Sequence, residues 1–153
     1  MMIKKVKKVP DGQISFKGNS RTCVTIKGEY AIHQVMISFL EDCDTANFMT
    51  KFDNFTFDNE TIPLLKDAIL HINSKLLIGH FDLIDEGKKY VVFSISQPFV
   101  REMNIDASFF SKIVDMMAGT LNTFYPCFEA IQRREIDNVN AIDLWAMEPQ
   151  CEA

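Results

Sequence analysis

Residues 62–96 read IPLLKDAILHINSKLLIGHFDLIDEGKKYVVFSIS, and two periods meet inside this stretch. Ile62, Leu65, Ile69, Ile72 and Leu76 recur at steps of three and four, which places them on one face of an α-helix. Pro63 stands in the first turn, where its missing N–H breaks no hydrogen bond. The spacing predicts a helix over 61–76. Past Gly79, the apolar runs 80–84 and 89–96 flank Asp85-Glu86-Gly87-Lys88, which has turn chemistry, so they are expected to pair antiparallel as a hairpin.

Upstream, Pro10-Asp11-Gly12, Lys17-Gly18-Asn19-Ser20, Lys27-Gly28 and Asp42-Cys43-Asp44 punctuate short runs rich in β-formers. They outline a meander with strands at 22–27, 31–40 and 46–52 and a weaker one at 14–17. In 31–40, Ala31, His33, Val35, Ile37 and Phe39 alternate with Ile32, Gln34, Met36, Ser38 and Leu40, and neither set is fully polar. That places the strand inside a sheet, although Tyr30, Val35, Phe39 and Leu40 also admit a helical reading. Downstream, Asp106 is a candidate N-cap for a long helix with the stripe Phe110, Ile113, Val114, Met117, Leu121, Phe124, Phe128 and Ile131. Pro126 should kink that helix or end it near Thr123. A short helix bearing Val139, Ile142 and Trp145 follows.

Strands, helix, hairpin, helix is the segregated order of an α+β layer. The expected fold is a twisted antiparallel sheet of about five strands with two main helices packed on one face. A single domain over 1–153 is read, with a core of about 12–135 and loose ends at 1–11 and 147–153.

Composition narrows the function. With 16 basic against 21 acidic residues the net charge of -5 opposes phosphate backbones, so nucleic acid is not an expected partner. The basic run at 4–8 is short and terminal. No stretch approaches the roughly 18 apolar residues of a membrane span. Cys23, Cys43, Cys127 and Cys151 form no close pair and no secretory leader is visible, which fits reduced thiols in the cytoplasm.

Chemistry is sparse. His33, His71 and His80 lack a second ligand at zinc spacing, and a lone His33 on an apolar face reads as packed core. No nucleophile motif and no glycine-rich phosphate loop occurs. Asp42, Asp44, Asp53, Asp58 and Glu60 miss calcium-loop spacing and read as a solvated rim. Phe48, Phe52, Phe55 and Phe57 read as core, with a groove lining as the alternative. No catalytic, metal or cofactor site is expected. A site assembled from dispersed residues such as His33, His80, Cys23 and Asp82 stays open.

The run Ile72-Asn73-Ser74-Lys75-Leu76-Leu77-Ile78-Gly79-His80-Phe81-Asp82-Leu83, followed by Asp85-Glu86-Gly87 and Tyr90-Val91-Val92-Phe93, resembles the YbjN family. Its members close a helix on an Ile-Asn pair and enter a hairpin through Gly-x-Phe, and Tyr125-Pro126 fits the same pattern. The resemblance covers residues 30–132. It implies a fold similar to that of type III secretion chaperones, often dimeric, with no catalytic residue to carry over. The family is labelled as bacterial sensory-transduction regulators, and the related chaperones bind unfolded stretches of partners along apolar grooves. Residues 1–20 depart from the chaperones' opening helix. Asn73 and Gly79 read as structural, Asn73 by satisfying free helix-end carbonyls and Gly79 by allowing a positive φ, with Phe81, Tyr125 and Pro126 completing the motif. The functional expectation is a non-enzymatic protein-binding module with a protein partner, a homodimer among the candidates, and no cofactor.

Overall fold

A computed structural model describes residues 3–4, 20–40, 44–52, 54–98 and 107–146. The strands β1 (Ile3–Lys4), β2 (Ser20–Lys27), β3 (Ile32–Leu40), β4 (Thr45–Lys51), β5 (His80–Glu86) and β6 (Lys88–Pro98) form one sheet of order β1-β2-β3-β4-β6-β5. Every neighbouring pair is antiparallel. The two-residue β1 pairs Ile3 with Ile26 and Lys4 with Thr25, adding a sixth strand to the five expected. The weak strand at 14–17 and the Asp106 cap lie outside the described residues.

Helix α1 (Ile62–Asn73) sits between β4 and the β5–β6 hairpin, and α2 (Ala107–Gln132) follows it. A 3₁₀ turn at Val139–Ala141 leads into the short α3 (Ile142–Trp145). The hairpin is tighter than the sequence suggests: Glu86 pairs with Lys88, so Gly87 alone makes the turn, at φ 78°.

Alternation decides which face is covered. From β3, His33, Val35, Ile37 and Phe39 are buried while Ile32, Gln34, Met36 and Leu40 are exposed, so 31–40 is a strand and not a helix. Phe39 and Phe48 meet Phe110 of α2, and Phe81 meets Phe124 and Phe128, so α2 crosses this inner face. Helix α1 buries Leu65, Ala68, Ile69 and Ile72 in the same core and packs beside β5. Phe48, Phe52, Phe55 and Phe57 are all core, which removes the groove reading for them.

Pro126 neither ends nor interrupts α2, which runs to Gln132. The proline removes the ladder bond to Asn122, at a cost of about 3 kcal/mol. Leu121, Tyr125, Phe128 and Ile131 are buried on both sides of it and hold the two halves of the helix on one core.

Candidate functional site

The Ile72–Leu83 signature is a joint between α1 and the sheet. The Asn73 side chain donates through Nδ2 to the Phe81 carbonyl at 2.9 Å, and its Oδ1 accepts from Phe81 N–H at 2.7 Å. Both outward-facing backbone groups of Phe81 are thus paired, as a neighbouring strand would pair them, at the exposed edge of β5. Other groups take the free carbonyls of α1: Ser74 N–H donates to Leu70 and its hydroxyl to His71, Lys75 N–H to Ile72 and Leu76 N–H to Asn73. Gly79 has φ 78°, and a Cβ there would lie 2.6 Å from Phe93 Cζ and 2.9 Å from the Ser94 carbonyl. Only glycine lets the chain pass this close to β6.

Tyr125 is a hub of the inner face. Its ring stacks on Tyr30 at 5.5 Å and meets Phe55 at 4.8 Å, and Asn54 Nδ2 donates to its hydroxyl at 3.5 Å. His33 lies edge-on to Phe52 and Tyr125, and burial in this aromatic setting lowers its pKa.

The dispersed residues fall on opposite faces. His33 points into the core, whereas Cys23, His80 and Asp82 belong to the outer face, opposite α2. Of these, His80 and Asp82 meet, with Nε2 and Oδ2 2.9 Å apart and both side chains half-exposed. Cys23 stands four strands away. A second exposed cluster joins His71, Lys75 and Asp143 and ties α1 to α3; hydrogen bonds from Lys75 and His71 hold the Asp143 carboxyl below its usual range. Buried Cys127 lies beneath, its thiol pushed up to about 12 mainly by burial, which leaves it inert as a nucleophile. The acidic rim resolves into Arg134, which bonds Asp58 at 2.5 Å and Glu60 at 2.8 Å and lowers the Asp58 pKa. Asp42 and Asp53 are outside the described residues. Among the described residues no three His, Cys, Asp or Glu side chains are placed to share a metal ion.

An apolar groove of about 410 Å³ opens between residues 75–78 and α2, over Ile95. Leu76, Leu77, Ile78, Met116 and Phe124 line it. Leu77 is fully exposed, Ile78 is 45% exposed and Met116 41%. Its polar groups are already engaged: Thr120 donates to the Met116 carbonyl, Thr123 to that of Gly119, and Lys75 holds Asp143. What remains can take up apolar side chains. The signal available in the sequence was Leu77-Ile78, two large apolar residues just past the stripe that closes on Leu76.

No family model matches the chain, and no curated protein matches it. Among solved structures it is similar to YbjN from E. coli, described as a candidate transcription regulator, with a TM-score of 0.50 and 13% identity over 74% of this chain and 76% of that one. At that identity the likeness is one of fold: an antiparallel α+β layer related to that of YbjN. Among the described residues no helix is long and apolar enough to cross a membrane.

Proposed function

We propose that this chain is a non-enzymatic protein-binding module of bacterial regulator or secretion-chaperone type, and that the groove between residues 75–78 and α2 takes an apolar segment of its partner. The observation that carries the reading is Leu77, wholly in solvent beside Ile78 and Met116 over a groove whose Thr120, Thr123 and Lys75 side chains are already paired. Burying a leucine of this kind is worth about 1.5–3 kcal/mol, so such a patch supports binding without any charged contact. The YbjN-like fold supports the regulator or chaperone setting, and the free thiols of Cys23 and Cys127 suit the cytoplasm. The His80–Asp82 pair favours an enzymatic reading less, because it stands half-exposed on an open sheet face instead of in a water-excluding pocket.

An array of overlapping apolar and amphipathic 15-residue peptides tests this, read out by hydrogen-exchange protection at 75–78 and 113–124. Leu77→Lys and Met116→Lys should each weaken peptide binding about tenfold or more while leaving the thermal midpoint nearly unchanged, since both side chains are exposed. Peptide binding that ignores both substitutions would sink the proposal. Solution mass by light scattering then separates a foreign partner from a second copy of the chain.

A further inference from the structure

The outer face of the sheet carries a row of sulfur. Cys23 on β2 stands directly opposite Met36 on β3, and Met36 directly opposite Met49 on β4. Opposed residues on one face of an antiparallel pair have Cβ atoms about 4.5–5.5 Å apart. Methionine adds three rotatable bonds, enough for two thioethers to swing toward the thiol between neighbouring strands. Among the described residues no helix covers this face; Cys23 is exposed, Met36 is 41% exposed and Met49 is partly buried, unlike the fully buried Met117. Of the outward residues that flank the row, Thr25, Gln34, Ser38 and Asn47 are uncharged, while Arg21 beside Cys23 and Lys51 beside Met49 are cations. His80 lies in the same row beyond Ser94, two strand spacings or about 10 Å past Met49, too far to share the site.

From this register we infer that Cys23, Met36 and Met49 form a binding site for a soft monovalent cation, copper(I), with silver(I) as its redox-inert counterpart. One thiolate and two thioethers are the donor set that selects copper(I) over magnesium, calcium or other hard cations. The Cys23 thiol now donates to Gln34 Oε1 at 3.3 Å. On binding, the S–H bond breaks, its proton passes to solvent, and a sulfur–copper bond forms with copper remaining in the +1 state, so one proton is released per ion.

The test uses the reduced full-length chain with silver(I) in native mass spectrometry and copper(I) in competition with a chromogenic chelator. Wild type should retain one ion and release one proton per ion. Met36→Leu with Met49→Leu, nearly isosteric on an open face, should weaken retention at least tenfold, and Cys23→Ser should abolish it. Cys43→Ser and Cys151→Ser should leave it unchanged. Retention that survives the double methionine change, or that is lost with Cys43 or Cys151 instead, overturns the assignment. Leu77→Lys should have no effect, which separates this site from the peptide groove.

Discussion

The two faces of the sheet are made by the same strands, yet they behave as different materials. On β3 the inward set His33, Val35, Ile37 and Phe39 is sealed under α2, while the outward set includes Ile32, Met36 and Leu40, almost as apolar but open to solvent. Pattern alone does not separate them, since both sets are rich in hydrocarbon. What separates them is the supply of helix: α2 has one apolar stripe and can cover one face. Ile32, Met36 and Leu40 on the other face, and Leu77 and Ile78 in the loop after α1, stay exposed in the monomer, which is why they carry information about partners and ligands.

The sharpest way to break this contrast is to truncate one side chain on each face. Phe81 touches Phe52, Phe93, Phe124 and Phe128, all within 6.1 Å between ring centroids. Phe81→Ala should cost about 3–5 kcal/mol, the usual toll for a buried aromatic. Met36→Ala should cost well under about 1 kcal/mol. Equal losses in urea unfolding would mean that the outer face is covered after all.

A smaller effect tests the joint that hangs β5 on the sheet. Gly79 and Gly87 share φ 78°, but a Cβ at Gly87 meets nothing within 4 Å whereas one at Gly79 strikes Phe93, Ile95 and the Ser94 carbonyl. Gly87→Ala pays only for the backbone conformation, about 1 kcal/mol. Gly79→Ala adds overpacking of about 1–3 kcal/mol. The difference between the two denaturation midpoints therefore reads the close approach itself, and matching midpoints would remove it. Asn73→Leu comes next, removing both bonds to the Phe81 backbone for about 1–3 kcal/mol. It should also raise amide exchange at Phe81 before the sheet unfolds globally.

How far the sequence could be read follows the same divide between local and distant causes. The change of period at Ile62, the hairpin and the α2 stripe are local, and each reappears in the structure within a few residues of its expected bounds. Asn73 was legible as a structural residue from its place at a helix end, but its grip on Phe81 depends on how the chain returns along α1, which no spacing rule encodes. The helix end expected near Thr123 fails for the converse reason: the local rule for proline is correct, and burial on both sides of Pro126 carries α2 through to Gln132. The acidic rim read as solvated because Arg134, 76 residues from Asp58, was invisible as its partner. The sulfur row was equally hidden, since three residues on three strands become neighbours only through register.

The mildest test concerns the one buried histidine. His33 sits on the covered face against Phe52 and Tyr125, where burial lowers its pKa from the 6.5 it has when unfolded. The folded chain then binds this proton less readily than the unfolded chain, so stability is full above about pH 6.5 and falls as pH drops below that value toward the folded pKa. Asp58 and Asp143, whose pKa values are also depressed, lose their contributions only in the more acidic range below the usual carboxylate values, so the interval from pH 6.5 to about 5 isolates the histidine. In urea unfolding, wild type should lose midpoint between pH 7.5 and 5.5, and His33→Phe should lose less. An identical pH slope in the two proteins would mean that the inner face is wet at His33 and that the contrast between the faces fails at that end of the sheet.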